Sequence, residues 1–199
     1  DGRIVIVLNL TPAYPRSTQP TDKAAAAFAE DFKNRSFLDP AVKGEFPETL
    51  VKVLQEDGVL WQATPEELSV IQRNTVDFLG VNYYQPFRAK ARELPFDAAQ
   101  GWLPEKHFAV YEMPGRRMNP YRGWEIYPQA MYDIAINIRD NYDNIPWFIS
   151  ENGMGVEGEE KFMNAEGYIE DDYRIDFYKE HLSWLYKGIK EGSRCFGFH

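Results

Sequence analysis

Four short apolar segments, at residues 4–10, 77–84, 147–151 and 195–199, recur along the chain, with helical periodicity between each and the next. This alternation limits the fold more than any other feature, because strands joined through helical crossovers lie parallel in one sheet. The first segment, Ile4-Val5-Ile6-Val7-Leu8-Asn9-Leu10, is apolar at nearly every position and β-branched in its first half. It reads as a strand covered on both faces. A buried strand that starts almost at residue 1 is expected of a chain cut from something larger.

The intervening segments carry helix signals. Thr21 or Asp22 can cap a helix that runs through the alanines to about Lys33, with Phe28 and Phe32 on one face. After Phe37-Leu38-Asp39-Pro40 the pattern breaks, and Pro47 opens a helix with Leu50, Val53 and Leu54 on one side that Gly58 closes. Thr64-Pro65-Glu66-Glu67 combines a cap, a first-turn proline and acidic residues, and starts a helix reaching about Asn74. Residues 87–120 show no period and read as a long irregular connection. Tyr127-Pro128 opens a helix whose Met131, Ile134, Ala135 and Ile138 fall at i, i+3, i+4 and i+7. A last helix over about 172–190 is expected to bury Tyr178, Leu182, Leu185 and Ile189 and to end at Gly192.

No phosphate-binding turn follows the first strand, so the four units fit half of an eight-stranded (β/α)8 barrel better than a doubly wound sheet. The expected fold class is α/β, with residues 1–199 as one partial barrel domain truncated at both ends. Working residues in such barrels lie at the carboxyl ends of strands. Asn82, Tyr84 and Glu151 all occupy such positions.

Composition narrows the partners. The net charge of -9 disfavours nucleic acid and anionic membranes, both of which need clustered Lys and Arg. No apolar run reaches the length of a membrane span. Cys195 is the single cysteine, so no disulfide forms within the chain and a reducing, cytoplasmic setting is expected. The three histidines, His107, His181 and His199, lack metal-ligand spacing, and no cofactor is implied. Aromatic residues make up 15% of the chain, which suits sugar binding and large cores alike.

The third segment, Trp147-Phe148-Ile149-Ser150-Glu151, ends in a carboxylate followed by Asn152-Gly153-Met154-Gly155. Glu151 can simply begin a solvated loop, or it can act as general acid, general base, nucleophile or metal ligand. A metal fits poorly, since no second carboxylate or histidine shares its strand end. A carboxylate nucleophile serves glycoside hydrolysis, which needs a second carboxyl group ~5–5.5 Å away. Tyr84 could donate a hydrogen bond that holds the carboxylate ionised, and of Tyr83 and Tyr84 one should point inward and one outward. Gly153-Met154-Gly155-Val156-Glu157-Gly158 has the spacing of a dinucleotide fingerprint, but Glu157, Glu159 and Glu160 would face a pyrophosphate and Gly167 interrupts the helix that should follow.

These residues resemble a known family. Phe148-Ile149-Ser150-Glu151-Asn152-Gly153 resembles the nucleophile signature of family 1 retaining β-glycosidases, Phe78-Leu79-Gly80-Val81-Asn82-Tyr83-Tyr84 its strand-six segment, and Gly123-Trp124-Glu125-Ile126-Tyr127-Pro128 its helix-opening motif before strand seven. The resemblance spans essentially the whole chain and implies strands five to eight of a (β/α)8 barrel. It implies that Glu151 is the nucleophile, that Tyr84 hydrogen-bonds it, that Asn82 lies beside the sugar, and that Trp124 packs the crossover helix. The text around Arg122-Gly123-Trp124 and Asp171-Asp172-Tyr173-Arg174 is similar to the 6-phospho-β-glucosidase branch, with an unphosphorylated β-glucosidase, a 6-phospho-β-galactosidase or a non-catalytic sugar-binding remnant as alternatives. The implied partner is a β-glycoside, as a 6-phosphorylated disaccharide or aryl glucoside. The family's acid/base glutamate, strand-eight sugar ligands and Ser, Lys and Tyr phosphate clamp have no counterpart here. An incomplete site is therefore expected, in a fragment that is inactive alone and that self-associates or pairs with an N-terminal half.

Overall fold

The computed structural model describes residues 2–99 and 101–199. In chain order it contains β1 (Val5–Asn9), β2 (Ala13–Pro15), α1 (Pro20–Glu30), a π-helical turn (Asp31–Arg35), α2 (Ser36–Val42), α3 (Glu48–Glu56), α4 (Pro65–Arg73), β3 (Phe78–Asn82) and β4 (Phe87–Lys90). There follow β5 (Ala109–Val110), β6 (Met118–Asn119), β7 (Trp124–Glu125), α5 (Ala130–Asn141), β8 (Trp147–Glu151), α6 (Asp172–Lys190) and β9 (Cys195–Phe198). The main sheet runs β1-β3-β8-β9 and is parallel throughout, as the alternation of strands and helices requires.

Side-chain alternation divides this sheet into two faces. On one, Leu79, Val81, Trp147 and Ile149 are fully buried in a cluster with Met131, Ile134, Ala135 and Ile138 of α5 and Leu185 of α6. On the other, Phe78, Phe148 and Phe196 group with centroids 5.6–6.3 Å apart, and Phe196 remains 60% exposed. The expectation that β1 is covered on both faces is therefore corrected. Val7 is 47% exposed because it belongs to the second face, while Leu8 joins the helix-side core.

Gly80 lies in the second face, opposite Val7. A Cβ there would approach Val7 Cγ2 at 2.8 Å, Ser150 Oγ at 3.1 Å and Phe148 Cε1 at 3.2 Å. Gly80→Val is expected to cost ~1–3 kcal/mol through overpacking, read as a fall in urea midpoint. An unchanged midpoint would show that the strand shifts freely to admit the side chain.

Three helix details depart from expectation. Neither Thr21 nor Asp22 caps α1, which begins at Pro20 after Gln19. Asp22 is instead buried, accepting from Ser17 Oγ (2.6 Å), the Ala91 amide (2.8 Å) and Arg16 Nε (3.0 Å), and these donors hold its carboxyl at about 2. The helix does not end at about Lys33 but runs on through the π turn and α2 to Val42, where Arg35 bridges Asp31 (2.6 Å) and Asp39 (2.9 Å) and Tyr142 donates to Asp39 at 2.5 Å. The buried face of α6 is Phe177, His181, Leu185 and Gly188, while Leu182 and Ile189 are exposed.

The helix starts at Pro65, with a complete capping box from Thr64 and Glu67, and the terminators Gly58 and Gly192, both at positive φ, match the sequence pattern. The described residues of 87–120 form more regular structure than the absence of a period suggested. They contribute β4 and β5 to a small sheet with β2, and β6, which pairs with β7 as a hairpin arm. Their strands are two to four residues long, too short to show a period.

Candidate active site

The carboxyl ends of β1, β3 and β8 align Asn9, Asn82 and Glu151 in one row across the sheet, Asn9 opposite Asn82 and Asn82 opposite Glu151. Strict alternation from Trp147 and Ile149 would send Glu151 to the helix-covered face. A register shift between β3 and β8 prevents that, since Val81 pairs with Ile149 but Asn82 pairs with Glu151. The extra residue, Ser150, stays with Asn82 and donates to its Oδ1 at 2.7 Å. A bulge of this kind re-aims the side chain beyond it, and Glu151 is left exposed at the mouth of the sheet.

Tyr83 and Tyr84 diverge as alternation demands. Tyr83 is buried and donates to the Tyr127 carbonyl at 2.7 Å. Tyr84 turns to the mouth and donates to Glu151 Oε2 at 2.7 Å. That hydrogen bond raises the Tyr84 phenol to about 12, because losing its proton would set a phenolate against the carboxylate. Next to Glu151 in the chain, Asn152 is buried and donates to the Tyr83 carbonyl at 2.7 Å.

Trp124, expected against the crossover helix, lies instead in β7 with its ring 5.2 Å from that of Tyr84. Sequence reasoning also passed over Asn9, although it ends β1 as Asn82 ends β3; comparing strand ends would have found it. The buried pair Arg88 and Glu125 was likewise not singled out, since it forms between β4 and β7 and no local pattern announces it.

The segment 153–158 is followed by a 3₁₀ turn (Glu159–Phe162), and the next α-helix begins only at Asp172, so those glycines do not lead directly into an α-helix as a dinucleotide fingerprint does. Among the described residues no group of three His, Cys, Asp or Glu side chains could hold a metal ion, and no helix is long and apolar enough to cross a membrane.

A strand-end carboxylate held by a phenol, beside amides and an aromatic ring, is suited to sugar chemistry. The sequence model described as Glycosyl hydrolase family 1 matches residues 1–199. The chain belongs to glycosyl hydrolase family 1. Among its family 1 relatives, 6-phospho-beta-glucosidase GmuD of Bacillus subtilis is 57% identical over 199 residues, which take in 100% of this chain and 43% of that protein. A 6-phospho-beta-galactosidase of Clostridium acetobutylicum is 31% identical over 207 residues, covering 96% of this chain and 43% of the relative. The family 1 β-glucosidase from Thermotoga maritima matches in structure with a TM-score of 0.81 at 30% identity, over 100% of this chain and 41% of that one. The α/β fold is thus that of the family's TIM-barrel glycosidases, and the chain spans about two-fifths of the length of these relatives.

Proposed function

We propose that this chain supplies strands five to eight of a (β/α)8 barrel that hydrolyses β-glycosidic bonds with retention, acting on 6-phospho-β-glucosides. The observation that carries the reading is the 2.7 Å hydrogen bond from Tyr84 to Glu151 at the end of β8. In this reading Glu151 attacks the anomeric carbon and forms the glycosyl-enzyme, Tyr84 holds the carboxylate aimed through its hydrogen bond, and Asn82 binds beside the sugar. A second carboxyl group ~5–5.5 Å away protonates the leaving group and then activates water. It belongs to a longer enzyme of which this chain is a part, and the chain is inactive by itself. The face carrying Phe78, Phe148 and the 60% exposed Phe196 is covered there by the rest of the barrel, or by self-association in its absence.

Preference for a 6-phospho-β-glucoside is supported by the 57% identity to GmuD, against 31% for the 6-phospho-beta-galactosidase and 30% for the Thermotoga β-glucosidase, which represent the alternative substrates. A cytoplasmic location fits the single, partly buried Cys195. Turnover of nitrophenyl β-glucoside and its 6-phosphate by the complete enzyme tests both levels. The phosphorylated substrate is expected to be turned over at least ~10-fold faster, one strong charge-assisted contact being worth that much. Equal rates would remove the phosphate preference, and no hydrolysis of either would remove the β-glucosidase reading.

A further inference from the structure

The hairpin arm β6–β7 brings Trp124 beside Tyr84 and is tethered by groups other than Glu151 and Tyr84. At its tip, Gly123 adopts a positive φ, and its amide donates to the Asn119 carbonyl at 2.9 Å, closing the turn. Asn119, buried, donates from Nδ2 to the Gly155 carbonyl at 2.9 Å, which ties the arm to the loop after Glu151. Trp124 lies against Tyr84, and the next residue, Glu125, turns to the opposite side and into the protein.

Glu125 is paired there with Arg88 of β4. Arg88 Nη2 donates to Oε1 at 2.6 Å and Nε to Oε2 at 3.0 Å, a forked geometry, with side-chain exposures of only 11% and 5%. The guanidinium also stacks 4.7 Å from the Tyr127 ring centroid and 5.2 Å from that of Tyr14. A buried pair of this kind is weak evidence for stability, since desolvation offsets its attraction, but its rigid fork fixes register well. The register it fixes is that of β7. With Glu125 held inward, Trp124 must face outward, onto Tyr84.

We infer that Arg88 and Glu125 are positioning residues, whose buried ion pair seats the arm so that Trp124 holds the Tyr84 hydroxyl against Glu151. The inference rests on the reading of Glu151 and Tyr84 given above and extends it to two residues that hydrogen-bond each other and not Glu151. It requires that Glu125 act through Tyr84, which a general structural role would not.

The test is a double-mutant cycle in the complete enzyme, with kcat and KM measured for wild type, Glu125→Gln, Tyr84→Phe and the double variant. Glu125→Gln is expected to lower kcat about 10-fold with KM within about 2-fold. In the Tyr84→Phe background the same change is expected to lower kcat less than about 2-fold, as the hydroxyl it positions is already gone. Arg88→Lys, which keeps the charge but loses the fork, gives an independent reading if Glu125→Gln does not fold, with a smaller loss that also vanishes in Tyr84→Phe. Losses that multiply in the double variants, or wild-type kcat in Glu125→Gln, would overturn the inference alone. Wild-type kcat in Tyr84→Phe would overturn both this inference and the supporting role assigned to Tyr84.

Discussion

In the complete enzyme, Glu151→Gln is expected to lower kcat by ~10³-fold or more while leaving the fold intact. The substitution changes charge but hardly shape, and the amide oxygen still accepts from Tyr84, which lies 2.7 Å from the carboxylate. What disappears is the anionic oxygen that in the proposed reaction bonds to the anomeric carbon, and the neighbours Asn82 and Ser150 are occupied with each other. A 2-deoxy-2-fluoro glycoside should add covalently to wild type on the peptide that carries Glu151 and leave the Gln variant unmodified. An adduct on another residue, or full activity of the variant, would remove Glu151 as nucleophile. The bulge makes the prediction specific to this position. Ser150 is tied to Asn82, so Ser150→Ala leaves the Glu151 carboxylate in place.

The parallel order of strands was legible because each strand is a contiguous apolar run, and parallel pairing with helical crossovers leaves few arrangements. The strand-end residues Asn82, Tyr84 and Glu151 were legible for the same reason, as position along a strand is written in the sequence. What was not legible came from contacts between distant segments. The bulge at Ser150 depends on pairing with β3, and the Arg88–Glu125 pair depends on an arm whose strands are two residues long. The buried face of α6 was misread by one position for a chemical reason. His181 and Gly188 lower the apolar count of the true face, so the stripe of Tyr178, Leu182 and Ile189 reads better on paper. His181 nonetheless tolerates full burial, because desolvation lowers its pKa to about 4 and keeps it neutral, while Nδ1–H donates to the Phe177 carbonyl at 2.8 Å. Gly188 is there for approach, since a Cβ would lie 2.5 Å from that of Ala135 and force α5 and α6 apart.

Trp147→Ala is the substitution expected to cost most in stability, ~3–5 kcal/mol. The Trp147 side chain is fully buried at the start of the strand that carries Glu151, in one cluster with Leu79, Ile134, Ala135, Ile138 and Leu185. Truncation removes an indole from between the sheet and α5, and β8 and its two flanking strands limit how far the space can collapse. It also removes the Nε1–H donor to Ser193 Oγ at 3.0 Å, leaving a buried hydroxyl without that partner. Trp147→Phe separates the two contributions, because it keeps most of the packing and loses the hydrogen bond. Its expected cost is ~1–2 kcal/mol, so urea midpoints should rank wild type above Phe and Phe well above Ala. A Phe variant as unstable as Ala would place the stabilisation in the Ser193 bond and not in the packing. Because Glu151 lies four residues along the same strand, the Ala variant should lose activity only as far as it unfolds, with kcat per folded molecule preserved.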